Sequence, residues 1–216
     1  MTLRSSSLVL TSRDTELLEV LTRRIRMLSI TQIGRIWWPT SESPEAIARR
    51  RLVQLEQAGY LERLSVMAHP ELELAQPVAV WRPGLPTPEL GPISWRLKSR
   101  WTEPLVNTAC VIATKFAGRF LGGYGGRKPR RAETTHDLHL SSVFLQMRTR
   151  QPERAATWIS EADRKKETGY GEKLPDGIVL DGDHKTAIEF GGAYDRPKLE
   201  EFHEFCHEQK LAYEIW

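Results

Sequence analysis

The chain has 216 residues, 40% hydrophobic and 27% charged, with a net charge of only +3. No apolar run approaches the ~20 residues a membrane helix requires, and the opening Met1-Thr2-Leu3-Arg4-Ser5 lacks the apolar core of a secretion signal. A cytoplasmic protein, neither spanning a membrane nor secreted, is expected. Two cysteines, Cys110 and Cys206, make no disulfide framework and are expected as buried thiols.

Charge is unevenly spread. Residues 1–150 hold 22 Lys and Arg against 13 Asp and Glu, a net of +9. Residues 151–216 hold 9 against 15, a net of −6. A basic front suits a polyanion, and an acidic back suits a metal-binding carboxylate group.

Three helices with start signals fill residues 12–58. The first begins after Thr11-Ser12, with Leu17, Leu18, Leu21 and Ile25 at helical spacing. Ser29 with Gln32 forms a capping box for the second, which runs through Ile33 and Ile36 to Trp37 and ends at Pro39. Ser43-Pro44 opens the third and Gly59 stops it. On that third helix Ile47, Ala48, Leu52, Leu55 and Ala58 share one face, Arg49 and Arg50 point the other way, and Arg51 snorkels beside the apolar side. Two β-like runs follow, Tyr60 to Met67 and Val78 to Trp81, around Ala68-His69-Pro70-Glu71. Three helices and a hairpin are the layout of a winged helix-turn-helix, which lays its third helix in the major groove of duplex DNA. The same layout also serves as a protein-contact module.

Residues 83–104 carry five prolines and read as a linker, with Trp95 and Trp101 docking it. A strand is expected over Val106–Ala113 and a short helix, capped by Thr114, over Lys115–Leu121. Gly122-Gly123 ends it. The basic loop that follows, with Arg127, Lys128, Arg130 and Arg131, could track a phosphate backbone or simply be solvated. Its glycines lack the Gly-Lys-Ser/Thr ending of a phosphate-cradling loop.

A helix is expected from His136 to about Met147, then a strand around Trp158–Glu161 and a polar loop. Two strands follow, Pro175-Asp176-Gly177-Ile178-Val179-Leu180 and Ala187-Ile188-Glu189-Phe190-Gly191, turned by Asp181-Gly182-Asp183. A helix from Pro197 to about Gln209 and a strand from Ala212 to Trp216 close the chain. Strand alternation puts Glu189 and Gly191 on one face and Ile188 and Phe190 on the other.

This α-β-β-β-α-β order, with Pro175-Asp176 and then Glu189, resembles the PD-(D/E)XK nuclease superfamily. Gly191 stands where that signature has lysine. The whole chain resembles the replication-relaxation family of mobile elements. The likeness is carried by Arg13-Asp14-Thr15-Glu16-Leu17-Leu18, Arg50-Arg51-Leu52, Ala58-Gly59-Tyr60-Leu61, His136-Asp137-Leu138, Glu161, and Asp176 before Glu189. The resemblance implies an α+β protein with a winged helix over 1–82, a linker over 83–104 and a nuclease-like domain over 105–216. It implies Asp176, Glu189 and Glu161 as ligands for Mg²⁺ or Mn²⁺, which would activate water for phosphodiester hydrolysis. Lys198, about 40° from the centre of the last helix's buried face, is the candidate to replace the missing lysine. A relic site in which Lys198 merely snorkels is the alternative. Asp137 is a further candidate for the metal shell, though an acid at a helix start is favoured electrostatically anyway. His136 beside it reads as structural or as a phosphate contact.

His203-Glu204-Phe205-Cys206-His207 matches the His-Glu-x-x-His zinc signature. Both imidazoles are expected off the buried face, and only Glu208 and Glu214 follow as further ligands, so a protease is not expected. Two functions remain: a metal-dependent DNA endonuclease of mobile-element type, and a non-catalytic DNA-binding regulator whose nuclease fold is a scaffold or homodimer surface.

Overall fold

The computed structural model describes residues 8–165 and 174–216. The opening Met1–Ser5 and most of the polar loop before Pro175 lie outside the described residues. The fold is mixed α+β. In chain order it comprises α1 (Ser12–Arg23), β1 (Met27–Ser29), α2 (Ile30–Trp37), α3 (Pro44–Gln57), β2 (Leu61–Ala68) and β3 (Ala79–Trp81). Then come α4 (Leu90–Ser99), β4 (Val106–Ala113), α5 (Lys115–Leu121), α6 (Thr134–Arg150), α7 (Pro152–Ala156), β5 (Ile159–Ser160) and α8 (Glu161–Arg164). The last are β6 (Gly177–Asp181), β7 (His184–Glu189), α9 (Arg196–Glu208) and β8 (Ala212–Ile215). No described helix is long and apolar enough to cross a membrane.

Two compact units emerge, each discontinuous in sequence. The first joins residues up to Met67 with Asn107–Asp137, and the second joins Ala68–Val106 with Leu138–Trp216. The expected boundaries at 82, 104 and 105 are therefore replaced. Val78–Trp81 does not complete a hairpin with β2: the neighbour of β2 is β4, in a sheet ordered β1-β4-β2. Trp81, only 2% exposed, belongs instead to the second unit's core, where β3 pairs with β8 through Trp81 and Tyr213.

In the first unit, Leu17, Leu18, Met27, Leu28, Ile33, Leu52, Leu55 and Leu61 are buried. The short β1 pairs antiparallel with β4, Leu28 opposite Val111, and all three of its residues are buried. Ser29 and Gln32 form the expected capping box at α2. Gly34 lets α2 approach the start of α3, since a Cβ there would lie 2.9 Å from the Glu45 nitrogen. Pro44 takes the first turn of α3, but Ser43 makes no side-chain capping bond. Arg51 does not snorkel. It reaches from α3 to α1 and grips Asp14 in a fork, Nε to Oδ1 at 2.9 Å and a terminal nitrogen to Oδ2 at 2.5 Å. Asp14 is 1% exposed and also closes the α1 capping box with Thr11.

The expected linker holds α4, because Leu90, Ile93 and Leu97 fall at helical spacing and are buried. Pro92 sits in the first turn, where a missing N–H costs nothing. Trp101 docks, donating to the Gly192 carbonyl at 3.2 Å, whereas Trp95 is 71% exposed. The second unit's sheet is ordered β3-β8-β7-β6-β5. β5, β6 and β7 form an antiparallel meander, and α9 carries the chain back so that β8 runs parallel to β7. Leu97 of α4 and Leu199, Phe202 and Cys206 of α9 pack with Ala187, Tyr213 and Ile215 of the sheet. Cys110 and Cys206 are both buried free thiols, and burial pushes the Cys110 pKa up to about 12.

Burial alone would raise the Asp14 pKa, but hydrogen bonds from Arg51 and Thr11 outweigh it and hold the carboxyl below its ordinary value. An aspartate that titrates lower when folded stabilises the fold above about pH 3.9, its unfolded value, and that contribution is lost as pH falls through the folded value. Asp14→Asn is expected to cost about 3 kcal/mol at neutral pH, since it leaves Arg51 facing a neutral partner. In urea unfolding the gap between wild type and variant should close below about pH 4; a gap independent of pH would count against the ion pair.

Candidate functional site

On α3 the buried side is Ala48, Leu52 and Leu55, and Arg49 and Arg50 are exposed as expected. Arg49 lies 3.8 Å from Glu45, one turn back, an exposed contact of small worth. Arg50 makes no ion pair among the described residues. Two adjacent guanidiniums on the outward side of a helix are thus left to solvent.

The basic loop divides. Arg127 and Arg130 both pair with Glu133, at 2.7 and 2.8 Å, and Lys128 pairs with Glu62. Burial would raise the Glu133 pKa, but Arg130 bonds to it and Arg127 and Arg26 lie near, so it is held down to about 2. Arg131 is exposed and makes no ion pair among the described residues. Nor does the glycine run hang free: the Tyr124 amide donates to the Thr22 carbonyl and that of Gly126 to the Ala113 carbonyl, each at 2.7 Å. Of the six cations expected to face DNA, Arg49, Arg50 and Arg131 are available; Arg127, Lys128 and Arg130 are engaged with glutamates.

The second unit brings the expected carboxylates to one end of its sheet. Asp176 precedes β6 and Glu189 ends β7, neighbours through the Gly177–Ile188 register. The Asp176 amide donates to Glu189 Oε2 at 3.3 Å, and the Phe190 amide donates to Asp176 Oδ2 at 2.8 Å. Tyr194 donates its hydroxyl to Glu189 Oε1 at 2.6 Å. Burial and the Glu189 charge push the Tyr194 phenol far above its ordinary value, so it stays a donor. Glu161 begins α8 rather than ending a strand; its amide reaches the Asp176 carbonyl at 3.3 Å, while its carboxylate pairs with Lys165 at 2.6 Å.

Of the carboxylates expected to hold Mg²⁺ or Mn²⁺, Asp176 and Glu189 are neighbours, and each has protein partners. Both oxygens of Glu189 already accept from the protein, the third carboxylate turns to Lys165, and among the described residues no three His, Cys, Asp or Glu groups gather to hold a metal. Position 191 has no room for a lysine. A Cβ on Gly191 would lie 2.8 and 2.9 Å from the Leu97 methyls and 3.0 Å from Ile215, so the position faces packed core. Lys198 sits over the Tyr194 ring, its Nζ 3.8 Å from the centroid, and the hydroxyl of that ring donates to Glu189.

Asp137, the further candidate for the metal shell, binds Arg26 at 2.7 Å, with His136 3.7 Å away. His203 contradicts the expectation that it faces solvent. It is 8% exposed, with Nδ1 3.1 Å from the Tyr213 hydroxyl and Nε2 3.0 Å from Thr87 Oγ1. Both of its ring nitrogens are engaged, whereas His207 is exposed.

Two residues absent from the expected set matter here. Tyr194 fixes Glu189. Arg100 stands over the Phe190 ring at 4.6 Å and donates to the Gly192 and Trp216 carbonyls, and burial lowers its pKa to about 10. Neither carries a motif that would single it out. No family model matches the chain, and no curated protein or solved structure matches it.

Gly191→Ala should destabilise the protein by about 1–3 kcal/mol through overpacking against Leu97 and Ile215, and Gly191→Lys by more. Tyr194→Phe should cost about 1–3 kcal/mol, because it removes a donor from a buried carboxylate. Thermal or urea unfolding of the three variants checks both statements; a neutral Gly191→Lys would show room for the signature lysine.

Proposed function

We propose that the chain is a DNA-binding regulator of mobile-element type, a winged helix joined to a PD-(D/E)XK-like scaffold that does not hydrolyse phosphodiesters. The observation that carries the reading is α3: an apolar face held in the first unit and two exposed arginines on the other side, Arg50 without an ion pair among the described residues and Arg49 with only an exposed contact to Glu45. The sheet order β1-β4-β2 supports it, since a winged helix places the strand between its first two helices against its last strand. So does the charge, because the first unit's residues hold 16 Lys and Arg against 9 Asp and Glu, a net of +7. Cations that neutralise phosphates gain affinity by releasing counterions, and that gain falls as salt rises.

For the second unit, the α6-β5-β6-β7-α9-β8 order and the parallel β7–β8 pair support the nuclease-like likeness. Asp176 and Glu189 fall where that likeness puts its acids. Their protein partners support a structural role, a latch between the ends of β6 and β7. The endonuclease reading keeps one favourable observation, the adjacency of those two carboxylates.

Arg49→Glu with Arg50→Glu is expected to weaken duplex DNA binding by full-length protein at least about 100-fold at moderate salt and to flatten the salt dependence by about two phosphate contacts. The thermal transition should stay unchanged. Retained binding would remove α3 as the DNA reader. Incubation with Mg²⁺ or Mn²⁺ should leave supercoiled and single-stranded DNA intact; nicking abolished by Asp176→Ala or Glu189→Ala would establish the endonuclease instead.

A further inference from the structure

A helix of seven residues presents two phenylalanines to solvent. On α5, Ala117 and Gly118 are buried, while Phe116 is 46% and Phe120 58% exposed. Their rings stack at 6.1 Å and 21°, and Tyr60 leans on both, 5.2 Å from Phe116 and 5.8 Å from Phe120. Thr114, which caps α5, holds Tyr60 in place: its amide donates to the Tyr60 carbonyl at 3.0 Å and its hydroxyl to the Gly59 carbonyl at 2.6 Å. The arrangement is fixed by the backbone, and burying aromatic surface elsewhere would be the default for such residues.

Lys115 and Arg119 occupy the same helix one turn apart, each beside a phenylalanine in sequence, and both are exposed. Neither makes an ion pair among the described residues, and α5 contains no acidic residue. Stacking rings interleaved with free cations satisfy two needs at once, a π face for a base and a positive charge for the phosphate beside it. Duplex DNA hides its base faces, so the chemistry selects unpaired nucleotides. Self-association fits poorly, because a two-fold contact would bring Lys115 and Arg119 of one copy toward those of the other.

We infer that Tyr60, Phe116 and Phe120 form a stacking platform for single-stranded nucleic acid, with Lys115 and Arg119 binding its phosphates. The inference extends the DNA-binding reading but stands on a separate surface. Tyr60 lies three residues past the C-terminal end of α3, and Arg50 lies seven residues before that end, about 10 Å along a helix of this rise. A protein so equipped reads a junction, with paired DNA on α3 and unpaired bases beyond its end.

The test is fluorescence anisotropy of full-length protein with a labelled oligothymidine of about 12 nucleotides, within the range one binding module covers, and separately with a blunt duplex. Phe116→Ala with Phe120→Ala should weaken oligothymidine binding by about tenfold or more and leave duplex affinity within about twofold. Phe116→Trp with Phe120→Trp should retain single-strand binding, because stacking needs a ring and not a particular one. Lys115→Glu with Arg119→Glu should weaken it and flatten its salt dependence. Unchanged oligothymidine affinity in the double-alanine variant overturns the platform. So does a change confined to sedimentation, which would make the patch a self-association surface. If wild type fails on duplex yet binds oligothymidine through the phenylalanines, the α3 reading falls and the platform stands.

Discussion

Arg51 follows two arginines that face water, and one buried carboxylate separates its fate from theirs. A helix turns about 100° per residue, so three consecutive arginines cannot share an environment. Asp14 decides which one enters. Its fork with Arg51 ties α3 to the first turn of α1, and the same carboxylate accepts the Thr11 amide at 2.7 Å. A bidentate arginine fixes angle as well as distance, which pins the rotation of α3 about its own axis. With Arg51 held inward, Leu52 and Leu55 meet the core and Arg49 and Arg50 are left outward. The nucleic-acid reading of α3 thus depends on a contact that no nucleic acid touches.

Much of the first unit was legible because its signals are local. Capping at Thr11, Ser29 and Thr114, the apolar spacing of Leu52 and Leu55, and Pro44 in its first turn each act within one helix. What was not legible is pairing at long range. Met27-Leu28-Ser29 is too short to show a period, and only Cys110, Val111 and Ile112 of β4, more than eighty residues on, make it a strand. Val78–Trp81 read as the partner of β2 because it came next in sequence. The partner it found, Tyr213 and Ile215, lies over a hundred residues away. Prolines misled in a different way: Pro86, Pro88 and Pro92 suggested a linker, while Leu90, Ile93 and Leu97 among them were already at helical spacing.

The carboxylate site was legible in position and not in chemistry. A turn and the period of two were enough to bring Asp176 beside Glu189. They could not say what the remaining lone pairs meet. One of those partners is Tyr194, five residues past Glu189, whose hydroxyl donates to its Oε1. Gly191 is the instructive case. As a departure from the nuclease signature it reads as a lost lysine, yet its missing side chain is also a packing requirement, with leucine methyls under 3.0 Å from where a Cβ would be. Core packing occupies the place a longer side chain at 191 would need, so a lysine there requires a smaller residue at 97 as well. Two coupled substitutions in a packed interior are a larger barrier than one.

The chain order constrains how these parts can be separated. It leaves the first unit after β2, spends residues 68–106 in the second, and returns for β4. β4 is the middle strand of its sheet, and without it β1 and β2 have no neighbour to bond. A fragment ending at residue 82 would lack that strand and keep Trp81, whose partners are Tyr213 and His203. It would therefore expose the backbone donors and acceptors of two strands together with a large ring, a combination that invites aggregation. Neither unit is a contiguous stretch of sequence, so cutting the chain between them removes part of each. The outward arginines of α3 and the exposed phenylalanines of α5 are then properties of the whole chain, because the sheet that supports them closes only after the second unit has begun.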